Sequence, residues 1–256
     1  IIQPPVFFHF KQLIKDNERE VLTNPLKNED NKYEMDFEDL KIKASNPKAK
    51  MLILCNPHNP IGRVWNKIEL EQLSEICLKN NVLIVSDEIH SEIIFGNNKF
   101  IPISSLSNKS ANNSITCFSP AKSFNIASVT DSVVVIKNEK YRQEFDAFTK
   151  KLSLGKLNTF NIVAMDIAYS EGEHWLNHII KYLEENLEYM KQYIKENIPK
   201  VKIVDTQGTF LVWLDFRELG LEVKELDRFL VQDAKIALNS GYWFGREGAG
   251  YAQIGR

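Results

Sequence analysis

Residues 81–90 read Asn-Val-Leu-Ile-Val-Ser-Asp-Glu-Ile-His, an almost continuous apolar run followed by two acids. A run of this kind without alternation is typical of a strand buried on both faces, as in a parallel sheet. Asp87 would then lie at the carboxyl end of the strand, where a carboxylate is costly to bury unless it meets a partner. Asp87 therefore either caps the next helix or pairs with a protonated nitrogen of a ligand.

A second apolar run, residues 51–54, leads into a turn at residues 55–65, Cys-Asn-Pro-His-Asn-Pro-Ile-Gly-Arg-Val-Trp. Two Asn-Pro pairs and a glycine predict an ordered turn, because proline restricts φ and asparagine hydrogen-bonds its own backbone. The turn is either purely structural or it aims Asn59 at a ligand, since open α/β sheets bind ligands beyond the carboxyl ends of their strands.

A third strand-like segment, residues 114–118, is followed by Ser-Pro-Ala-Lys-Ser-Phe-Asn at residues 119–125. A lysine after a strand can bind a cofactor aldehyde as a Schiff base, while a nearby serine hydroxyl holds the cofactor phosphate. Taken alone, Lys122 is better interpreted as a solvated surface lysine. Together with the other two strand ends it indicates pyridoxal phosphate, with Asp87 as the partner of the protonated pyridine nitrogen.

These three segments, in this order, resemble the fold type I (aspartate aminotransferase-like) pyridoxal phosphate enzymes. The chain looks most like their cystathionine β-lyase branch, a group of C–S lyases within the class I/II aminotransferase family. The marks of the branch are His58 within the Asn-Pro turn and His90, where aminotransferases usually carry a tyrosine. Residues 208–215 and 244–252 also fit the branch, so the resemblance covers essentially the whole chain.

The resemblance implies a role for each matching polar residue. Lys122 would be the Schiff-base lysine and proton shuttle, and Asp87 would pair with the pyridine nitrogen. Asn59 would donate to the 3′ oxygen of the cofactor, and Ser119 would contact its phosphate. His90 would lie beside the ring oxygen.

Two further roles follow from the resemblance, together with two departures from the family pattern. Arg256 would clamp the α-carboxylate of an amino-acid substrate, which suits its planar fork. Phe7 would stack on the cofactor ring, but it replaces the usual tyrosine and cannot hydrogen-bond. Ala121 replaces a residue that is often polar, so the phosphate would have one hydroxyl fewer. Relative to the family, we expect missing segments at both ends of the chain.

The order of elements predicts an α/β fold of the fold type I class. We expect a large cofactor-binding domain at residues 1–157, with a doubly wound, mainly parallel sheet, and a smaller α+β domain at residues 158–256. The predicted strands of the large domain are residues 51–55, 82–86, 114–118 and 132–137. A helix starting at Asn66, with Glu69 in capping-box spacing, separates the first two strands.

Three local predictions complete the fold. Residues 107–113, rich in Ser and Asn, predict an exposed loop. Residues 173–197 carry apolar side chains every three or four positions and predict a long amphipathic helix. Residues 201–204 and 210–214 predict strands of the smaller domain.

Composition restricts the class of protein. The 256 residues are 43% hydrophobic and 26% charged with a formal net charge of −2, which predicts a globular protein without a nucleic-acid surface. No apolar run approaches the roughly 18 residues of a membrane helix.

Three widely spaced cysteines predict neither disulfides nor zinc, and favour a cytoplasmic location. His174 and His178 lack a third metal ligand, so we expect no metal site.

The function implied by the resemblance is β-elimination at a C–S bond of cystathionine or a cysteine S-conjugate, giving a thiol, pyruvate and ammonia. Two alternatives remain open: an aminotransferase of the class I/II family, which uses the same residues, and a non-catalytic relative that binds the cofactor. The resemblance also implies a homodimer with a small amino acid as substrate.

Overall fold

The computed structural model describes residues 1–255; the predicted substrate-binding residue Arg256 lies outside the described residues. The strands are β1 (Lys27–Glu29), β2 (Lys32–Glu34), β3 (Met51–Cys55), β4 (Leu83–Asp87), β5 (Ser114–Phe118), β6 (Val133–Ile136), β7 (Lys202–Ile203), β8 (Leu211–Asp215), β9 (Asn239–Ser240) and β10 (Tyr251–Gly255). The helices are α1 (His9–Asp16), α2 (Phe37–Ala44), α3 (Lys67–Lys79), α4 (Asn108–Asn112), α5 (Glu139–Lys151), α6 (Thr159–Glu171), α7 (Glu173–Asn197) and α8 (Val223–Arg228).

The central sheet of the described chain has the strand order β3-β4-β5-β6. Strands β3, β4 and β5 are parallel, and β6 runs antiparallel to β5. Leu52, Leu54 and Ile84 are fully buried on one face of it, whereas Leu83 and Val85 on the other face of β4 are half-buried. The α/β class and the mainly parallel sheet predicted from the sequence are therefore confirmed.

Helix α3 connects β3 to β4 and begins as predicted. The side chain of Asn66 accepts a hydrogen bond from the Glu69 backbone N–H (3.0 Å), and the Glu69 carboxylate accepts one from the Asn66 backbone N–H (2.8 Å). This reciprocal capping box satisfies two N–H groups that a helix start leaves unpaired. Leu70, Leu73 and Cys77 on the helix are fully buried in the same core as β3 and β4.

The prediction of an exposed loop at residues 107–113 is wrong. The segment contains the short helix α4, and Ser107 caps it by accepting a hydrogen bond from the Ser110 backbone N–H (3.1 Å). Ser110 is buried because its hydroxyl donates to the carbonyl of Ile103 (2.7 Å). Serine and asparagine favour helix starts as well as loops, so composition alone does not distinguish the two.

The C-terminal part of the described chain forms an antiparallel sheet in the order β7-β8-β10-β9. Helix α7 has the predicted bounds, and its Leu187 packs against this sheet. Strand β7 is shorter than predicted, although the Val204 N–H still donates to the carbonyl of Trp213 (3.0 Å).

The core connects the two sheets. Trp213 of the second sheet belongs to the same buried cluster as Leu52 of the central sheet. The division into domains at residues 157 and 158 stays a prediction.

No helix within residues 1–255 has the length and apolar character needed to cross a membrane.

Candidate active site

The predicted site begins at the carboxyl edge of the parallel strands. Cys55, Asp87 and Cys117 are register partners across β3, β4 and β5, so they form one row at that edge. Strands β3 and β4 end at this row, and β5 ends one residue after it. The candidate residues Asn59, His90, Ser119 and Lys122 all follow within five positions of it. Parallel pairing therefore collects side chains that are far apart in the sequence.

The turn after β3 is rigidly braced. The backbone N–H of His58 donates to the carbonyl of Arg63 (2.8 Å), and the N–H of Gly62 donates to the carbonyl of His58 (2.8 Å). The Trp65 indole donates to the carbonyl of Cys55 (3.0 Å), and His58 Nε2 contacts the Pro5 carbonyl (2.9 Å). His58 is thus a buried structural residue of the turn, and burial lowers its pKa to about 4.

Asn59 is oriented by a residue from the C-terminal sheet. Its Oδ1 accepts a hydrogen bond of 2.8 Å from Nε2 of Gln253, which lies 194 positions later. The backbone N–H of Asn59 contacts the Cys55 sulfur (3.4 Å). The side-chain Nδ2 of Asn59 is therefore the end of the amide that Gln253 does not use.

Asp87 lies half-buried in the row, and its environment sets its charge. Burial raises the pKa of Asp87, whereas the Ile89 backbone N–H (3.2 Å) and the positive charge of Lys122 lower it. The carboxylate thus has a cost of burial that a cationic partner would relieve. The side chain of Lys122 is itself exposed, on the open side of the edge.

His90 is buried, with 3% of its surface exposed. Its Nδ1 has no hydrogen-bond partner among the described residues. Burial, together with the smaller effect of the positive charge of Lys122, lowers the pKa of His90 to about 4. The ring is therefore neutral near pH 7, and it offers an unused polar atom beside Lys122.

Ser119 is also buried, but its hydroxyl is already bonded. It donates to the carbonyl of Asp131 (2.8 Å) and accepts from the backbone N–H of Ala121 (3.2 Å). A hydroxyl has one proton to donate, so a bond to a phosphate requires the bond to Asp131 to be released. The role of Ser119 at a phosphate stays a prediction.

Phe7 lies just before α1 and is half-buried. It packs on an apolar cluster that includes Ile53 and Cys55 of β3, so it lies against the strand that contributes Cys55 to the row. Its ring contacts Phe10 edge to face, with centroids 5.6 Å apart. Stacking on a cofactor ring stays a prediction for this residue.

Sequence reasoning missed two groups of polar residues at the site. Glu88 is buried beside Asp87 and accepts hydrogen bonds from the hydroxyl of Ser86 (2.8 Å) and the N–H of Ile103 (3.2 Å). Ser123, directly after Lys122, is buried and donates to Glu92. The acid pair at 87 and 88 was visible in the sequence, whereas no sequence signal joins residue 92 to residue 123.

No cluster of three His, Cys, Asp or Glu side chains that could hold a metal occurs in the part of the chain that the structure describes. His178 Nδ1 instead contacts the carbonyl of His174 (2.7 Å) on the surface of α7. The three cysteines are free thiols.

A lysine, an aspartate and a neutral histidine at the carboxyl edge of a parallel sheet define a candidate site of the fold type I class. The family described as Aminotransferase class I and II matches residues 1–251. The chain belongs to this family, as the sequence motifs predicted.

One relative and two solved structures are similar to almost the whole of this chain. The chain is 39% identical to cystathionine beta-lyase PatB of Bacillus subtilis, over 99% of this chain and 66% of the relative. It superposes with a TM-score of 0.97 and 45% identity on a PLP-bound putative aminotransferase from Clostridium difficile 630, covering 99% of this chain and 65% of that one. Cystalysin from Treponema denticola, whose structure contains pyridoxal 5′-phosphate, gives a TM-score of 0.97 and 34% identity, with 99% and 64% covered. The chain therefore spans about two thirds of the length of these relatives, and its resemblance to the C–S lyase branch is confirmed.

Proposed function

We propose that the protein catalyses pyridoxal phosphate-dependent β-elimination at a C–S bond of cystathionine or a cysteine S-conjugate, giving a thiol, pyruvate and ammonia. The observation that carries the proposal is the grouping of Asp87, His90 and Lys122 beyond one edge of the parallel sheet. The similarity to a cystathionine beta-lyase supports the C–S bond as the target, and the similarity to cystalysin supports pyridoxal phosphate as the cofactor.

The residues at this edge fit the cofactor. Asp87 is a half-buried carboxylate whose cost of burial a cationic partner would relieve, and a protonated pyridine nitrogen is such a partner. His90 presents a buried Nδ1 that lacks a partner among the described residues, and Asn59 has an amide nitrogen to donate. Lys122 supplies the amine that pairs with the aldehyde. When bound, the cofactor ring supplies an electron sink for the bond broken at the α carbon.

The chain's own residues divide the proton chemistry between them. When the amino group of the substrate replaces Lys122 at the aldehyde carbon, the freed amine of Lys122 would accept the proton from the α carbon of the substrate, because it remains next to that position. Asp87 keeps the pyridine nitrogen protonated, and it can do so because burial strengthens its attraction to a positive charge. His90 is neutral near pH 7, so it donates or accepts a hydrogen bond there without adding charge. By resemblance, Arg256 binds the substrate carboxylate.

The test is to incubate the purified full-length protein with L-cystathionine and no keto acid. Release of pyruvate, ammonia and a thiol in equal amounts supports the lyase. The matched sample contains a keto-acid acceptor. If L-cystathionine is consumed only in the sample with the keto acid, the protein is an aminotransferase. The putative aminotransferase from Clostridium difficile suggests this alternative.

The third candidate function is a non-catalytic relative that binds the cofactor. Phe7 and Ala121, which replace a tyrosine and a frequently polar residue, are the observations that favour it. Cofactor binding without turnover of any amino acid, with or without a keto-acid acceptor, would support this candidate and overturn both enzymes.

We further propose that the full-length protein is a cytoplasmic homodimer, with residues 1–157 and 158–256 as its two domains within this chain. Three free cysteines suit a reducing compartment. Helices α5 and α6 and the segment between them expose large apolar side chains, among them Phe148, Leu157 and Phe160, with exposed fractions of 60%, 55% and 77%. Such a surface suits an interface with a second copy. Sedimentation of the full-length protein as a monomer would contradict the dimer.

A further inference from the structure

Three side-chain amides form a ladder that leads from the protein surface to the candidate site. Asn239 and Gln253 are register partners across β9 and β10, so their side chains meet on one face of the sheet. Nδ2 of Asn239 donates to Oε1 of Gln253 (3.2 Å), and Nε2 of Gln253 donates to Oδ1 of Asn59 (2.8 Å). Gln253 is buried, with 4% exposed, whereas Asn239 is exposed.

The direction of the ladder decides what Asn59 offers to a ligand. An amide side chain has an accepting oxygen on one side and a donating NH₂ on the other. In the observed direction Gln253 uses the oxygen of Asn59, which leaves the Asn59 NH₂ as a donor. In the opposite direction Gln253 would accept from that NH₂, and Asn59 would present an oxygen instead.

We propose that Gln253, held by Asn239, is a positioning residue that keeps the NH₂ of Asn59 directed at the 3′ oxygen of the cofactor. The inference rests on the proposed function, since it takes Asn59 as a cofactor contact. A donor at the 3′ oxygen stabilises the deprotonated oxygen, whereas an acceptor there favours the protonated one. The ladder therefore adjusts the protonation of the bound cofactor from outside the site.

The sharpest test changes the exposed end of the ladder. Asn239→Asp places a carboxylate, which only accepts, opposite Gln253. The NH₂ of Gln253 then donates to the new carboxylate, and the oxygen of Gln253 turns toward Asn59. All hydrogen bonds of the ladder are thereby reversed. Asn239→Leu is the matched control, because it removes the polar contact without imposing a direction. Gln253→Glu and Gln253→Met repeat the pair at the buried position.

Two measurements on the full-length protein report the effect. The first is the midpoint of the pH-dependent change in the visible absorption of bound pyridoxal phosphate. The second is the affinity of the cofactor-free protein for pyridoxal phosphate, followed by tryptophan fluorescence. For Asn239→Asp and Gln253→Glu we expect the midpoint to rise by about one pH unit and the affinity to fall about tenfold, the effect of losing one hydrogen bond to a charged group. For Asn239→Leu and Gln253→Met we expect smaller changes.

Measurements at high salt distinguish a reversed ladder from a direct electrostatic effect of the added negative charge. Attraction or repulsion through solvent is screened at high ionic strength, whereas a reversed amide is not. A shift in Asn239→Asp that persists at high salt and exceeds the shift in Asn239→Leu supports the inference. Equal shifts in the two variants, a shift abolished by salt, or no shift in any variant would overturn it.

Failure of this inference is distinguishable from failure of the proposed function. If Lys122→Ala is inactive while the ladder variants behave as wild type, the function stands and the positioning role of Gln253 is wrong. If Lys122→Ala keeps its turnover, the proposed function itself is wrong.

Discussion

Glu88 gives a prediction whose size follows from the structure. Its carboxyl group is buried, and burial is the largest cause that raises its pKa, with a smaller contribution from the charge of Asp87. The hydrogen bonds from Ser86 and Ile103 lower the pKa but do not offset burial. The pKa is about 7 in the folded protein, compared with an ordinary value of 4.5.

The shift makes stability fall as the pH rises. Below pH 4.5 the group is protonated in both the folded and the unfolded chain, so it has no differential effect. Between pH 4.5 and about 7 the unfolded chain releases the proton while the folded protein retains it, and stability is lost. Above that range the loss is complete and amounts to about 3 kcal/mol, because each pKa unit corresponds to roughly 1.4 kcal/mol.

Glu88→Gln removes the ionisation and keeps an oxygen for the bonds from Ser86 and Ile103. We therefore expect the stability of the variant relative to wild type to increase by about 3 kcal/mol between pH 4 and pH 8. Urea unfolding at a series of pH values measures this difference, and Glu75→Gln at an exposed position of α3 is the matched control for the chemical change from Glu to Gln. A stability difference between Glu88→Gln and wild type that is the same at both pH values would refute the reasoning.

Three further predictions concern activity. Lys122→Ala should retain the fold by circular dichroism but release no more than a trace of pyruvate, because it removes both the covalent anchor and the base; appreciable release from the pure variant would contradict the assignment. Asp87→Asn should still bind the cofactor and lose about 10²–10³ in turnover, or roughly 2–4 kcal/mol of barrier, since an amide does not keep the pyridine nitrogen protonated; near wild-type turnover would mean that Asp87 only accepts the Ile89 N–H in the turn after β4, where no helix begins. His90→Gln should leave the shape of the pH–rate profile unchanged between about pH 6 and 8, because the pKa of His90 is already about 4; a missing limb of the profile would show that His90 titrates in that range.

Local sequence patterns predicted the elements whose cause is local. The apolar run before Asp87 became β4 as predicted, although the strand is fully buried on one face and half-buried on the other. The capping box at Asn66 and the bounds of α7 were also predicted, because caps and apolar periodicity act within a few residues. The segment at residues 107–113 was misjudged, because the buried partner of Ser110 decided between loop and helix.

Motif order and strand-end position indicated the candidate site. Parallel pairing brings the predicted segments to one edge of the sheet, because Asp87 and the segments that hold Asn59 and Lys122 leave adjacent strands there. The roles of these residues stay predictions. The protonation of the site was beyond sequence reasoning. The pKa of His90 and of Glu88 depends on how much water the fold removes around each group, and the fold removes nearly all of it. The contact between Asn59 and Gln253 likewise arises only when the C-terminal sheet packs against the turn after β3, because residues 194 positions apart meet through tertiary packing and leave no periodic signal in the chain.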